Sequence, residues 1–414
     1  MLFTILNINA KIAVYNCNNK DVYFCKSKKH IMDYLKLANQ FFEQSLYGRY
    51  ITLEKIEPLL LKNNNNKCVK IIGKSVLNKP VYGVEIGNGS TRILLWSQMH
   101  GNESTTTKTL FDLFNFFDNA TELQNKLLNH FTFYFIPMLN PDGAELYTRE
   151  NANKIDINRD AQNLSQPESI ILRDCYESFK PDYCYNLHDQ RTIFGVGMTN
   201  KPATVSFLAP SFDEERLFNK VRSKAAGLIV QISKVLQLYI PDQVARFDDS
   251  FNSNCVGDAF QNLGTPTLLF EAGHFQNDYD RDETRKYVFI ALLSSFVALY
   301  ENVVVSSENE NYLNIPQNNT DFFDFVYKNV KFNYDNSEII TNFAAQYKEE
   351  LINNNIFFNA FVVKIDNLDN KFGHFELDAK GKSYTDENQN FPQINQKANF
   401  FLDNTIKIIN GSVV

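Results

Sequence analysis

Apolar runs and polar turns alternate along residues 67–300 in the pattern of an α/β protein. Short apolar runs bounded by Lys, Asn and Gly predict strands at 69–72, 81–86, 93–96, 131–138 and 183–187, and in the run that ends at Glu271. Apolar residues at three- and four-residue spacing predict helices at 31–42, 50–61, 105–117, 122–130, 166–179, 217–235, from about 258, and at 283–300. We therefore expect a mixed, mostly parallel twisted sheet flanked by helices.

The last quarter of the chain has a different pattern. Residues 306–320 are polar and rich in asparagine, which predicts a linker. Beyond them, 356–365 and 373–377 alternate as strands do, whereas 337–351 has the character of a helix. The predicted regions are an N-terminal extension or helix (1–45), a large α/β domain (46–305), the linker (306–320) and a small α+β or β-rich domain of unknown role (321–414). A start at Met32 is an alternative expectation for the N-terminus.

Composition narrows the classes of protein that fit this pattern. With 414 residues, 44% of them hydrophobic, the chain can bury a large core and a small one. A net charge of −7 argues against a nucleic-acid surface, and no apolar run approaches the length of a membrane helix. The first 16 residues lack the basic start of a signal peptide, and the six scattered cysteines form no Cys-x-x-Cys pair. We expect a cytoplasmic protein without a thiolate zinc site. The sequence contains no signal for the oligomeric state.

Polar groups follow several of the predicted strands. His100 comes after an apolar strand and Glu103 precedes a helix, while the turn Asn140–Gly143, His188 and Glu271 lie at three further strand ends. In an open α/β sheet, the strand ends at one edge share a crevice. A three-residue step across a turn can aim an imidazole and a carboxylate at one point, and zinc accepts both ligand types while keeping one position for water. The pattern therefore favours a metal site at this edge.

These residues also form a set of motifs that resembles a known family. The set comprises His100-Gly101-Asn102-Glu103, Asn140-Pro141-Asp142-Gly143, Arg149, Asn158-Arg159, His188 and Glu271. It resembles the zinc metallocarboxypeptidases of the carboxypeptidase A-like superfamily, in particular short bacterial-type members. The motifs occur in the family's order over about residues 93–274. The resemblance implies a zinc carboxypeptidase fold and a catalytic role for residues 46–305.

The resemblance also implies a role for each motif. His100, Glu103 and His188 would bind one zinc ion per chain. Glu271 would act as general base on the zinc-bound water, and Arg149 would stabilise the oxyanion. Asn158 and Arg159 would hold the terminal carboxylate of a peptide, because a guanidinium fork matches a carboxylate. The implied reaction is hydrolysis of the C-terminal peptide bond of a peptide with a free C-terminus.

The sequence departs from carboxypeptidase A at the rim of the implied cleft. The span between Arg159 and His188 is shorter, which predicts a more open cleft. The family's mobile substrate-binding tyrosine has no match in residues 244–251, where Arg246 is a candidate to contact substrate instead. The pocket for the substrate's last side chain would lie near Cys255 or Val256.

We make separate predictions for three further residues near the motifs. Asp189 either orients a ligand or is only the next loop residue. His274 is expected to be a structural histidine with satisfied hydrogen bonds, and His374 to lie on a strand without chemistry.

Other functions remain open at this point. A zinc-dependent deacylase of acyl-amino acids, like aspartoacylase or the desuccinylases, shares the zinc site and a short span between motifs. The Asn140–Gly143 turn and Arg149 favour a peptidase, for which a peptidoglycan peptide or a γ-glutamyl substrate is also open. A non-catalytic binding protein is disfavoured, because Glu271 and all three implied ligands are present.

Overall fold

A mixed eight-stranded sheet forms the centre of the α/β part of the molecule. The computed structural model describes residues 32–62, 67–334 and 337–414; the region before Met32 with Cys17 and Cys25, and the asparagine run at 63–66, lie outside the described residues. In chain order the first nine strands are β1 (Lys67–Lys74), β2 (Pro80–Gly87), β3 (Thr91–Ser97), β4 (Phe131–Ile136), β5 (Tyr183–Asp189), β6 (Gly195–Val196), β7 (Val205–Leu208), β8 (Val244–Arg246) and β9 (Thr267–Ala272). All except β6 belong to this sheet, in the order β1-β2-β4-β3-β5-β9-β7-β8.

The direction of the strands agrees with the alternating pattern in the sequence. Strands β4, β3, β5 and β9 are parallel neighbours, and β7 is parallel to β8. The pairs β1/β2, β2/β4 and β7/β9 are antiparallel. The predicted mixed, mostly parallel sheet is therefore confirmed. The carboxyl ends of β3, β5 and β9 meet at one edge, where parallel sheets form crevices.

Helices cover both faces of this sheet. They are α1 (Tyr34–Gln40), α2 (Leu53–Leu61), α3 (Thr105–Phe117), α4 (Glu122–His130), α5 (Pro141–Leu146), α6 (Pro167–Phe179), α7 (Lys220–Leu236), α8 (Val256–Asn262) and α9 (Asp282–Tyr300). Within β3, Ile93 and Leu95 face one core with α3, α7 and α9, whereas Leu94 and Trp96 face a second core with α6 and α8. A strand buried on both faces explains the continuous apolar runs that marked the central strands.

A buried ion pair joins α3 to α9. The Arg285 guanidinium donates to both oxygens of Asp112, with N–O distances of 2.6 and 2.5 Å. Its third nitrogen donates to the carbonyl oxygen of Leu46 at 2.6 Å. Neither charged side chain is more than 1% exposed, so each depends on the other for compensation of its charge.

We expect Asp112→Ala to lower the free energy of unfolding by about 3–5 kcal/mol, because the buried Arg285 would lose its bidentate partner and keep only the Asp282 carboxylate at 3.6 Å. Urea unfolding followed by circular dichroism measures this change. Asp174→Ala, at an exposed position of α6, serves as the control and should change stability by less than about 0.5 kcal/mol. Equal stability of the two variants would show that the pair is not needed.

The C-terminal part of the chain is rich in β-structure. Its elements are α10 (Asn309–Leu313), β10 (Asn318–Asn319), β11 (Phe322–Tyr334), β12 (Ser337–Ile352), β13 (Asn355–Asp366), β14 (Phe372–Asp378), β15 (Tyr384–Thr385), β16 (Phe400–Leu402), β17 (Ile406–Ile409) and β18 (Ser412–Val413). One four-stranded sheet has the order β13-β12-β11-β14, and a second has the order β15-β16-β17-β18. Their facing side chains share a core that includes Phe343, Tyr384 and Phe400. The β-rich alternative is therefore confirmed.

The helix predicted at 337–351 is wrong, because this segment is the strand β12. The run Ala344-Ala345-Gln346 and the later Lys348-Glu349-Glu350 have good helix propensity, which favoured the wrong prediction. In the fold, residues 337–345 of β12 pair with β11 and residues 342–352 pair with β13. Two ladders of backbone hydrogen bonds and the burial of Phe343 between aromatic rings outweigh a preference of a few tenths of a kcal/mol per residue.

The segment 306–320 differs from the polar linker that its composition predicts. It contains α10, and Tyr312 on this helix is fully buried. The Tyr312 hydroxyl accepts a hydrogen bond from the backbone N–H of Ala209 at 3.0 Å. Strand β10 pairs with β6 of the α/β part. The segment is therefore packed against the α/β part, and the predicted domain boundaries remain predictions.

No helix within residues 32–62, 67–334 and 337–414 has both the length and the apolar character that crossing a bilayer needs.

Candidate metal centre

A sharp turn after β3 carries His100 and Glu103. Gln98 adopts a left-handed backbone conformation, with φ of 48°, where the strand ends. Its side-chain amide donates to the carbonyl oxygens of Gly101 at 2.8 Å and Ile51 at 2.9 Å. The side-chain oxygen of Gln98 accepts from the Thr107 hydroxyl at 2.9 Å. These bonds fix the turn from both sides, so His100 and Glu103 project from a rigid base.

The turn rests directly on the second motif, Asn140–Gly143. A Cβ atom on Gly101 would lie 1.9 Å from the carbonyl carbon of Gly143, so only glycine allows this approach of the two backbones. The Asn140 side chain accepts from the Gly143 N–H at 2.9 Å and donates to the carbonyl oxygens of Met99 and Glu150. Asn140 therefore caps α5 and ties the two turns together.

Three donor groups converge above this turn. The Nδ1 atom of His100 lies 2.8 Å from one Glu103 oxygen, and the Nδ1 atom of His188 lies 2.8 Å from the other. The two Nδ1 atoms are 3.1 Å apart, and one ligand atom from each residue lies within 4.8 Å of the others. Two imidazole nitrogens and a carboxylate at this spacing fit the coordination sphere of a zinc ion. All three residues are buried.

Asp156 orients His100 and was missed by reasoning from the sequence. Its Oδ1 atom lies 3.1 Å from Nε2 of His100, and its Oδ2 atom accepts from Nε of Arg149 at 3.0 Å. An imidazole that offers Nδ1 to a metal carries its proton on Nε2, so it would donate to Asp156. The available signal was a carboxylate two residues before Asn158 in a segment without apolar periodicity.

Asp189 acts on Glu103 through its backbone. The Asp189 N–H donates to Glu103 Oε2 at 3.1 Å. The Asp189 carboxylate accepts from the N–H of Thr105 at 3.0 Å and from the Thr105 hydroxyl at 2.6 Å, at the start of α3. Of the two alternatives for Asp189, the structure therefore favours the one in which it orients a ligand.

Burial and neighbouring charges shift the pKa values of these groups in different directions. Burial acts to raise the pKa of Glu103, but the two imidazoles hold it well below its ordinary value. Burial lowers the pKa of His188, whereas for His100 the Glu103 and Asp156 carboxylates outweigh burial and raise the pKa. Burial also acts to raise the pKa of Asp156, but His100 and Arg149 lower it. The cluster therefore keeps its carboxylates ionised, as a cation site requires.

We expect Asp156→Asn to weaken zinc binding about 10- to 100-fold, because the variant keeps a hydrogen-bond acceptor for His100 but loses the negative charge. Competition with a chelator of known affinity measures the dissociation constant. Asp174→Asn on α6 should bind zinc as the wild type does. Unchanged affinity in Asp156→Asn would show that this carboxylate does not support the site.

Glu271 lies beside the donor cluster because of the strand register. Strands β5 and β9 are parallel, and His188 is paired with Glu271. Glu271 is 8% exposed and lines the same cavity as the donors. Burial and the carboxylates of Glu103 and Asp189 raise its pKa well above the ordinary value. A buried carboxylate at this position is a strong proton acceptor.

The cavity also contains the remaining predicted site residues. It has a volume of about 540 Å³, and Arg149, Asn158 and Arg159 line it. An Arg149 nitrogen lies 3.2 Å from His100 Nδ1 and 3.5 Å from a Glu103 oxygen. Asn158 accepts from the Val256 N–H at 3.0 Å, while Arg159 is exposed to the cavity. The structure thus brings every predicted site residue to one cavity.

Two expectations about neighbouring residues fail. Arg246 is directed away from the cavity, because its guanidinium donates to the carbonyl oxygens of Ile315 and Leu313. From the 244–251 loop, Phe247, Asp248, Ser250 and Phe251 line the cavity instead. Within the described chain, neither ring nitrogen of His274 has a hydrogen-bond partner, so His274 is not a satisfied histidine. Its ring packs against those of Tyr279 and His374, and His374 lies on β14 as expected.

Comparisons with known proteins agree with this geometry. Residues 57–226 match the peptidase M14 family model, described as zinc carboxypeptidase. The chain is 31% identical to carboxypeptidase SOL1 of Arabidopsis thaliana over 147 residues, which cover 30% of each protein. It is 37% identical to gamma-D-glutamyl-L-diamino acid endopeptidase 1 of Lysinibacillus sphaericus over 83 residues, 18% of this chain and 21% of that protein. The chain therefore spans less than a third of these relatives.

A comparison of structures gives the same fold. A protein inferred to be a carboxypeptidase A of Shewanella denitrificans superposes with a TM-score of 0.50 at 18% identity, covering 60% of this chain and 69% of that one. The chain therefore shares the α/β fold of that structure, and its convergent donors form a candidate metal site. The match of residues 57–226 to this family model agrees with the resemblance inferred from the motifs. Glu271 lies beyond the matched range.

Proposed function

We propose that the protein is a zinc-dependent carboxypeptidase that hydrolyses the C-terminal peptide bond of peptides. The observation that carries this proposal is the convergence of His100, Glu103 and His188 in one cavity with Glu271 and Arg149. One zinc ion per chain would be held by the three donors. When bound, zinc lowers the pKa of a water molecule and polarises a carbonyl group.

The residues around the donors supply the other requirements of peptide hydrolysis. Glu271 would accept the proton of the attacking water and deliver it to the leaving amine, since it is buried beside the donors and ionisable. Arg149 would donate to the oxygen of the scissile carbonyl, because its guanidinium already lies at the edge of the donor cluster. Asp156 holds this guanidinium in place.

The specificity for a chain end would come from Asn158 and Arg159. Both line the cavity, and the Arg159 fork is exposed to it. A guanidinium binds a carboxylate through two parallel hydrogen bonds, which an amidated C-terminus cannot accept. The Arg159 N–H that donates to the Asn158 carbonyl oxygen at 2.8 Å limits the motion of the fork.

Digestion of matched peptides tests the proposal. The purified protein should contain about one zinc per chain and should release the last amino acid from unblocked peptides. The same peptides with amidated C-termini should resist digestion. Equal cleavage of both sets would show that Asn158 and Arg159 do not bind a terminal carboxylate. Cleavage of acyl-amino acids alone would favour the deacylase, and cleavage of neither class would contradict both functions.

A second candidate is a peptidase for γ-glutamyl peptides. Arg191 also lines the cavity, is exposed, and has no ion pair within the described ranges. A γ-linked glutamate keeps a free α-carboxylate on the acyl side of the scissile bond, separated from the scissile carbonyl by Cα, Cβ and Cγ, and a guanidinium would recognise it. The endopeptidase relative from Lysinibacillus sphaericus is named for such a substrate. Faster cleavage of a γ-glutamyl peptide than of its α-linked isomer would favour this candidate.

We propose the cytoplasm as the compartment. Cys68, Cys175, Cys184 and Cys255 are free thiols. Thiols persist where glutathione and thioredoxin keep the environment reducing.

A further inference from the structure

The C-terminal sheet, defined as β11–β14, contacts three segments that adjoin site residues. Residues 34–414 belong to one compact unit. The Gln346 side chain donates to the Thr192 hydroxyl at 2.8 Å, four residues after His188. Asp324 accepts from the Tyr279 hydroxyl at 2.9 Å, eight residues after Glu271. Glu349 accepts from the Tyr147 hydroxyl, two residues before Arg149. The C-terminal sheet therefore contacts segments close in sequence to His188, Glu271 and Arg149.

The contact of Glu349 differs from the other two because it includes an ion pair. One carboxylate oxygen pairs with an Arg49 nitrogen at 3.2 Å, and the other accepts from the Tyr147 hydroxyl. The Arg49 side chain is 6% exposed and the Glu349 side chain 27%. A nearly buried guanidinium needs a counter-charge, so this contact is unlike an exposed ion pair on the surface. Burial also raises the pKa of the Tyr147 hydroxyl, which therefore remains a donor.

Tyr147 is connected to the turn that carries the donors through the backbone of the next residue. Tyr147 ends α5 in a left-handed conformation with φ of 55°, which a non-glycine residue adopts only when its surroundings hold it. The carbonyl oxygen of the next residue, Thr148, accepts from the Asn102 N–H at 3.2 Å, within the turn of His100 and Glu103. Arg149 follows directly. The conformation of Tyr147 therefore sets the positions of Arg149 and of this turn.

Arg49 is also connected to this turn, through a hydrogen bond to Ser104. The Arg49 carbonyl oxygen accepts from the Ser104 hydroxyl at 2.6 Å, and Ser104 adjoins Glu103. The same carboxylate of Glu349 therefore contacts two residues, Arg49 and Tyr147, that are linked to the turn in addition to Gln98. Within the described chain, no residue of the C-terminal sheet lines the cavity, so the sheet acts on the site only through such intermediates.

We propose that Glu349 is a positioning residue, through which the C-terminal sheet fixes the donor turn and Arg149. The kinetic part of this proposal rests on the proposed carboxypeptidase function, whereas its structural part does not. The neighbouring residue Glu350 provides a matched control, because it lies on the same strand. Among the described residues, its side chain accepts only from Lys348 and Asn359, both in the C-terminal region.

Hydrogen exchange measured by mass spectrometry tests the structural part. Glu349→Gln keeps the shape of the side chain but loses the charge that pairs with Arg49. We expect faster exchange in peptides that span 99–104 and 143–150, with and without zinc, and wild-type exchange in Glu350→Gln. Wild-type exchange of both peptides in Glu349→Gln would overturn the proposal. If this variant fails to fold, Tyr147→Phe, which removes only the hydroxyl, should show the faster exchange at 143–150, and wild-type exchange there would also overturn it.

The kinetic test uses the same variants. With peptides as substrate, Glu349→Gln should lower kcat about 10- to 100-fold, because a shift of about 1 Å at the site has an effect of this size. KM should change less than about twofold. The double variant with Arg149→Ala should lose less activity than the product of the two single losses, because the part of the loss that acts through Arg149 is already absent. Fully additive losses would contradict a role through Arg149. An inactive wild type would contradict the proposed function, and hydrogen exchange would still decide the role of Glu349.

Discussion

Replacing Glu271 with glutamine is expected to lower kcat by about 10²- to 10⁴-fold while the zinc content stays at that of the wild type. Glutamine matches the carboxylate in shape but cannot accept a proton from water. Glu271 stands outside the donor set of His100, Glu103 and His188, so zinc binding should survive the change. Metal analysis together with steady-state kinetics on an unblocked peptide measures both quantities.

The control for this variant is Glu177→Gln, at an exposed position on α6. It should have the activity and the zinc content of the wild type. Loss of zinc from Glu271→Gln would place Glu271 among the ligands, and full activity would remove it from the mechanism. Folding should be unaffected or improved, because burial and two nearby carboxylates make the charge of Glu271 unfavourable.

The second large effect is expected from His188→Ala. This variant removes one of the two nitrogens that contact the Glu103 carboxylate, and it leaves only two donors for the metal. We expect a loss of zinc affinity beyond the 10- to 100-fold expected for a partner that only orients a ligand, and no detectable peptide hydrolysis. Titration with zinc in the presence of a competing chelator measures the affinity.

Removing zinc and adding it back to the wild type provides a control for this variant. Chelation should abolish activity of the wild type, and zinc should restore it, whereas the same zinc concentration should not restore His188→Ala. His130→Ala, at the end of α4 and outside the cavity, should respond like the wild type. Recovery of His188→Ala at stoichiometric zinc would contradict its assignment as a ligand.

The elements that position the site could be predicted because their signals are local. Helices α3 and α4 begin and end where the apolar spacing places them, at 105–117 and 122–130. The meeting of His100 and His188 at one edge followed from the same reasoning, since parallel strands end at one edge. His188 was expected directly after its strand but lies within the last two residues of β5. The antiparallel direction of β7 against β9 had no comparable signal, because pairing of remote segments leaves no trace in local periodicity.

Other features depended on contacts between remote residues. The helix propensity of 337–351 gave the wrong element because β11 and β13 supply partners that a single segment does not reveal. The asparagine-rich segment 306–320 packs through Tyr312, one aromatic residue among polar ones. Asp156 and Glu349 were not found, because each acts on a residue brought near only by the fold.

The ladder between β5 and β9 also constrains how the chain can be lengthened. His188 and Glu271 are cross-strand neighbours, so inserting one residue within β9 before Glu271 would turn its carboxylate to the opposite face. An added residue in the loop at 209–219, between β7 and α7, leaves this pairing intact. Tags or extra segments engineered into the protein therefore belong between Glu214 and Glu215, which are exposed, since Pro210 lines the cavity and Ser211 is buried. Even a single-residue insertion inside β9 would separate acid and imidazole.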